Sequence, residues 1–286
     1  MDESVWRDWL TPLAAGLAGG FLAGLFGVGG GVLLVPLLVL VLGRSQHVAH
    51  ATSLLAITIP ALAGTLRFAA EGAVAWGPAA LVAVGALAGV QLGAALLPRV
   101  SERRLQLLFA LLLAIMSLRL VVFGAGVDST GPPGDETFQL AAGALVLHTV
   151  LGLVSGTAAA LLGIGGGAIV VPVLVIGFGY GQHLAEGTSL AVIVPTALVG
   201  AATHGRRSYT DWPVGLRLGA GGLVGSLVGA ELALALPGTW LSRAFGLLLA
   251  VVTTVLVRRA LRERPKRDEA AGRRDSRPDP PKRVAS

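Results

Sequence analysis

Long apolar segments recur along nearly the whole chain. Residues 79–97 are interrupted only by Gln91, and residues 105–118 form a second, largely apolar stretch. A helix needs about 20 such residues to cross the hydrocarbon core of a bilayer. The pattern therefore predicts an all-α polytopic membrane protein.

The chain also repeats itself at a fixed offset of 136 positions (163 minus 27). At this repeat offset Gly27–Gly31 aligns with Gly163–Gly167, and Thr52-Ser53-Leu54 aligns with Thr188-Ser189-Leu190. The register holds without a gap from residue 27 to residue 93, which indicates two homologous halves. The other matches are Pro36 with Pro172, His47 with His183, Gly64 with Gly200, Trp76 with Trp212, and Gly85, Gly89 and Gly93 with Gly221, Gly225 and Gly229.

Each half is predicted to contain one glycine-broken hydrophobic segment followed by three transmembrane helices. The chain then divides into an N-terminal segment (1–9), a first membrane repeat (10–123), an acidic linker (124–137), a second repeat (138–260) and a basic tail (261–286). This makes eight spans if each broken segment crosses the bilayer once, or ten helical segments if it enters and returns.

Charge placement decides between parallel and inverted halves. If the broken segments crossed once, Arg99, Arg103 and Arg104 would lie outside while the basic tail lies inside. If each broken segment instead enters the membrane and returns to the same side, nearly all arginines between the spans lie inside, and only Arg67 and Arg243 lie outside. Cytoplasmic loops are enriched in Lys and Arg, so inverted repeats with both termini cytoplasmic are favoured.

Composition excludes several other classes of protein. The chain has no cysteine, which rules out a disulfide framework, a thiolate metal site and a Cys nucleophile. The predicted spans contain no Asp pair, no H-E-x-x-H and no G-x-S-x-G, so no enzyme is expected. Residues 262–286 hold nine Lys/Arg and five Asp/Glu, which makes the basicity largely a property of the tail. Its expected role is that of a disordered topology anchor, or of a segment that binds anionic lipid, rather than of a nucleic-acid site.

The glycine-rich segments are the main candidates for a binding site. Residues 163–168 match the dinucleotide fingerprint G-x-G-x-x-A, but a βαβ unit is not expected around them. Two interpretations remain, namely close helix packing and a helix break that exposes backbone N–H groups to an anion. The duplication favours the second. The predicted substrate-binding residues are Gly29, Gly30, Gly31, Gly165, Gly166 and Gly167.

Hydroxyl and titratable side chains follow each glycine segment. Thr52, Ser53, Thr188 and Ser189 either cap helices or orient the anion, and the sequence leaves both open. His47, His183 and Glu186 are candidates for coupling transport to a proton, against the alternative of interfacial groups without a role. Gly85, Gly89 and Gly93 share one helix face, which predicts close packing against another helix. No metal site or cofactor is expected.

The doubled motif G-[VI]-G-G-G-x-[LI]-[LV]-V-P, followed each time by a His and by Thr-Ser-Leu, resembles the TauE/SafE sulfite exporter family, also called TSUP. The resemblance covers about 10–260, the whole membrane portion. It implies a plasma-membrane transporter of small anions such as sulfite, sulfonates or related organic anions. It does not specify which anion.

The leading hypothesis is a secondary transporter that works by alternating access. A small anion would bind at the paired glycine breaks, and a proton or another ion would drive its movement. An anion channel and a non-transporting scaffold subunit are the alternatives. The other partners expected are membrane lipid and a second copy of the chain.

Overall fold

The computed structural model describes residues 9–40, 42–44, 46–96, 102–123, 142–162, 165–205 and 210–262. These residues form ten α-helices and contain no strand, which confirms the predicted all-α architecture. The N-terminal eight residues, the linker and all but the first two residues of the tail lie outside the described part. The helices are α1 (Thr11–Phe26), α2 (Gly31–Leu40), α3 (Gln46–Ala70), α4 (Trp76–Leu96), α5 (Glu102–Phe123), α6 (Ala142–Leu162), α7 (Gly167–Gly177), α8 (Gln182–Gly205), α9 (Trp212–Ala235) and α10 (Gly238–Arg262).

Six of these helices are long and apolar enough to cross a membrane, namely α3, α4, α6, α8, α9 and α10. Shorter apolar helical stretches occur in α1, α5 and α7. Exposed helix surfaces carry many large apolar side chains, such as Leu66, Leu118 and Val251. Such surfaces suit lipid, so the chain is a multi-pass membrane protein. The number of crossings stays a prediction.

Two pairs of left-handed glycines turn the chain where the glycine motifs occur. Gly29 and Gly30 each have a φ of 72°, and Gly165 and Gly166 each have a φ of 78°. Glycine adopts this conformation without the steric cost that a Cβ imposes. After the first turn α2 folds back along α1, since a Cβ at Gly19 would lie 2.7 Å from the Leu34 side chain. We call residues 27–30 the first break and residues 165–166 the second break.

The two halves of the sequence are interleaved in space. Helix α1 packs along α9, and α4 packs along α6. Both contacts rest on glycines: a Cβ on Gly225 would strike the backbone of Leu17, and a Cβ on Gly89 that of Leu153. The close packing predicted for the Gly85–Gly93 face is therefore confirmed, with α6 as the partner helix.

Helices α3 and α8 lie at the centre of the molecule. In their spanning windows 56% and 72% of the residues are buried, compared with 28% for α6. Each packs against the other and against one helix of the opposite half, α3 on α9 and α8 on α4. The α3–α8 contact is antiparallel, because Leu54 faces Gly200 at one end and Gly64 faces Leu190 at the other.

Candidate functional site

The two glycine breaks touch each other at the centre of the protein. A Cβ on Gly167 would lie 2.6 Å from the Gly27 carbonyl oxygen and 2.7 Å from the Cα of Val28. A Cβ on Gly165 would lie 3.5 Å from the Val28 carbonyl oxygen. The structure thus brings together the two copies of the glycine motif, which are far apart in the sequence.

Each break ends at the N-terminus of a short helix. Helix α2 starts at Gly31 and α7 at Gly167, and both of these glycines are buried. The first N–H groups of a helix have no acceptor within it, and its N-terminus carries roughly +0.5 elementary charge. At α7 the N-cap residue is Gly166, and no side chain caps the helix. The N–H groups of Ile169 and Val170 donate to the Gly166 carbonyl oxygen, at 3.0 and 3.2 Å. Those of Gly167 and Ala168 are therefore the donors at the start of α7 that remain for another acceptor.

A small cavity adjoins the second break. It is lined by Gly165, Gly166 and Gly167, by the polar residues Ser155 and Thr196, and by apolar residues that include Ile193. Its volume of about 10 Å³ is the space of about one water molecule. A sulfite ion has four heavy atoms, so this conformation is closed to it.

The sequence did not identify Ser155 and Thr196 as candidates. Their hydroxyls donate to the carbonyl oxygens of Gly152, at 3.0 Å, and of Val192. Their counterparts at the repeat offset are Gly19 and Pro60, so neither hydroxyl is duplicated between the two halves.

Thr52 and Thr188 have matching contacts in the two halves. Each is fully buried, and its Oγ1 accepts a hydrogen bond of 3.0 Å from a backbone N–H, that of Asp211 for Thr52 and that of Ala75 for Thr188. Asp211 and Ala75 directly precede α9 and α4 and are themselves counterparts at the repeat offset. These hydroxyls therefore fix the start of a helix other than their own. Their role in orienting an anion stays a prediction.

Ser189 joins α8 to the first break. Its Oγ donates a 2.7 Å hydrogen bond to the Gly27 carbonyl oxygen, and the side chain is fully buried. Ser53, its counterpart, is buried on α3. Of the four predicted hydroxyls, Ser189 is the one that the structure describes in contact with a break.

The three titratable candidates differ in their surroundings. The Nε2 of His183 donates to the carbonyl oxygens of Ala233, at 2.9 Å, and Leu236, at 3.2 Å, so this ring holds the C-terminal end of α9. Glu186 is completely buried on α8 and accepts a 2.7 Å hydrogen bond from Gln182. The His47 side chain lies outside the described part. Within that part, no three His, Asp or Glu residues come together as a metal site.

Ion pairs tie α9 to α3 at one end and to the residues before α3 at the other. Arg67 holds Glu231 through two hydrogen bonds, of 2.7 and 2.9 Å, and also contacts Glu71 at 2.8 Å. Arg44, just before α3, pairs with Asp211 at 2.7 Å. Exposed pairs stabilise little individually, but the bidentate geometry of Arg67 and Glu231 fixes their relative position.

A bundle of membrane-length helices in which two glycine turns meet is an arrangement that membrane transporters use. The model of the family described as "Sulfite exporter TauE/SafE" matches residues 2–120 and 148–285, and the chain belongs to this family. The predicted resemblance is confirmed.

Relatives from several bacteria support the same class. A "Probable membrane transporter protein" of Xylella fastidiosa is 30% identical over 257 residues, which cover 89% of this chain and 97% of that protein. YunE and YdhB of Bacillus subtilis carry the same description. They are 26% and 24% identical, over 79% and 83% of this chain and 88% and 96% of their own lengths. No solved structure matches the chain.

Proposed function

We propose that the protein is a secondary transporter that carries a small anion across the plasma membrane by alternating access. Sulfite, which the family's description names, is the proposed substrate, and a sulfonate or a related organic anion is the alternative. The observation that carries the proposal is the contact between the two breaks, where the N-termini of α2 and α7 begin. The proposal assigns no catalytic activity.

The anion binds to backbone N–H groups at the breaks. Glycines at 29–31 and 165–167 allow an anion to approach the backbone closely. The partial positive charges at two helix N-termini attract the anion. The same arrangement forms anion sites in other secondary transporters. Hydroxyls at positions 52, 53, 188 and 189 would orient the anion once the closed cavity has opened.

Inverted repeats provide the alternation. The starts of α2, α3, α4 and α5 recur, at the repeat offset, as the starts of α7, α8, α9 and α10. The antiparallel contact between α3 and its counterpart α8 supports halves of opposite orientation. Helices α1, α3 and α9 form one group, and α4, α6 and α8 form the other. Rocking of these groups across the α3–α8 contact would open the breaks to one side at a time, with both termini in the cytoplasm.

The test is counterflow of labelled sulfite in proteoliposomes that contain only this protein, with unlabelled sulfonates, sulfate and carboxylates as competitors. A carrier gives saturable uptake that an internal pool of unlabelled substrate accelerates. Flux that does not saturate and shows no counterflow would indicate a channel. Folded protein that moves none of these anions would contradict the proposal and favour a scaffold subunit.

A further inference from the structure

Glu186 is a carboxyl group buried in the membrane-spanning part of the protein. It lies in the second turn of α8 and is 0% exposed. Burial of an ionised carboxylate is costly unless a cation or several donors compensate it. Acidic residues within spans therefore mark ion or proton pathways in many transporters.

The hydrogen bonds of Glu186 leave one of its carboxyl oxygens available to a proton. Gln182 Nε2 donates to Glu186 Oε1 at 2.7 Å. The other carboxyl oxygen, Oε2, and the amide oxygen of Gln182 are both buried and have no partner. The two residues stand four positions apart on one helix face. A proton on Oε2 converts one of the two unpaired acceptors into a donor.

The described elements that pack on α8 supply no ion pair to Glu186. Helices α4 and α7 contain no titratable residue. On α3, Arg67 is held by Glu231 of α9 and by Glu71, and the side chains of His47 and His50 are outside the description. Described arginines of α10, at 243 and 258, are exposed, and His183 of α8 is bound to backbone carbonyls.

Glu186 also lies directly against the first break. A Cβ on Gly27 would be 2.7 Å from the Glu186 Cα and 3.0 Å from its Cβ. Ser189, one turn further along α8, donates to the Gly27 carbonyl oxygen. The α8 backbone at Glu186 is thus in direct contact with the start of the proposed anion site.

We propose that Glu186 carries a proton that moves together with the anion, an inference that rests on the proposed function. Two negative charges repel strongly in a low dielectric, so an ionised Glu186 opposes anion binding at the break. Oε2 takes a proton from water on one side, and the anion then binds. After reorientation the anion and the proton both leave to the water on the other side. Proton and anion binding favour each other, and this reciprocity makes the anion's affinity rise as the pH falls.

The experiment compares the wild type with Glu186→Gln in proteoliposomes of internal pH 8 and external pH 6, with labelled sulfite as the probe. The wild type is expected to accumulate sulfite above its level without a pH gradient. The upper limit is about a hundredfold if one proton moves with each singly charged anion, because that is the proton ratio between pH 6 and pH 8. Glu186→Gln is expected to keep counterflow at equal pH and to lose this stimulation. Sulfite itself titrates in this range, but equally for both proteins. Glu71→Gln, the same change at an exposed residue, is the matched control.

The outcomes separate this inference from the proposed function. Equal stimulation in the wild type and Glu186→Gln, or counterflow by the wild type without any stimulation, would overturn the role of Glu186. No counterflow by the folded wild type would refute transport itself. If Glu186→Gln does not fold, Gln182→Met removes the donor that stabilises the ionised form. The pH of half-maximal uptake is then expected to move upward, and an unchanged pH would overturn the inference.

Discussion

The left-handed glycines of the two breaks have unequal surroundings. A Cβ on Gly30 would strike the carbonyl oxygen of Gly19, which is backbone and cannot move aside. A Cβ on Gly166 would have its nearest neighbour at 3.4 Å, the Ser155 carbonyl oxygen. Substitution at Gly30 therefore disturbs the fold, whereas substitution at Gly166 reports on the cavity.

We predict that Gly166→Ala reduces sulfite counterflow strongly while the protein remains folded. The left-handed backbone costs an alanine about 1–2 kcal/mol, and the new methyl group occupies a cavity with space for about one water. Gly179→Ala is the control, because Gly179 has a φ of 72° and nothing within 4 Å of its Cβ position. Both variants should lose similar stability in detergent. Equal transport by the two would contradict a site at the second break.

At the scale of the helices, glycine contacts decide which elements pair. Gly221, Gly225 and Gly229 bring α9 against the backbone of α1, and Gly85, Gly89 and Gly93 bring α4 against that of α6. Lipid tails are as apolar as leucine, so close packing of backbones is a main source of helix association in a membrane. These contacts are therefore sensitive to added volume.

Gly225→Ala is expected to destabilise the protein by about 1–3 kcal/mol, as overpacked sites typically do. Gly143→Ala, at an exposed α6 position with nothing within 4 Å, should be neutral or stabilising by up to about 1 kcal/mol, because alanine is the better helix former. Thermal unfolding in detergent measures both. A shift of the same sign and size for the two variants would show that the α1–α9 contact is not tightly packed.

For the molecule as a whole, the sequence was most informative where it repeats. The repeat offset predicted the positions of both breaks, and helix starts at Gly31 and Gly167 agree with it. The contacts of Thr52 and Thr188 could not be predicted, because their partners are 159 and 113 residues away. No local pattern specifies such distant pairs. The pairing of α1 with α9 could not be predicted from the sequence for the same reason.

The orientation of the two halves can be tested with cysteines, since the chain has none of its own. Trp76 and Trp212 are counterparts at the starts of α4 and α9, with 60% and 51% exposure. With inverted repeats, an impermeant maleimide applied to intact cells should label Trp76→Cys, and it should label Trp212→Cys only after permeabilisation. Labelling of both from the same side would indicate parallel halves.

The pairing of α1 with α9 has a consequence for biosynthesis. Helix α1 ends at Phe26 and α9 begins only at Trp212, so α1 enters the membrane long before its partner is made. At about 5–20 residues per second, this interval lasts roughly 10 to 40 s. Throughout it the glycine face of α1 meets lipid or an insertion factor instead of α9. The first half alone therefore has no complete packing surface, and we expect a chain that stops before Trp212 to be less stable in the membrane than the full chain.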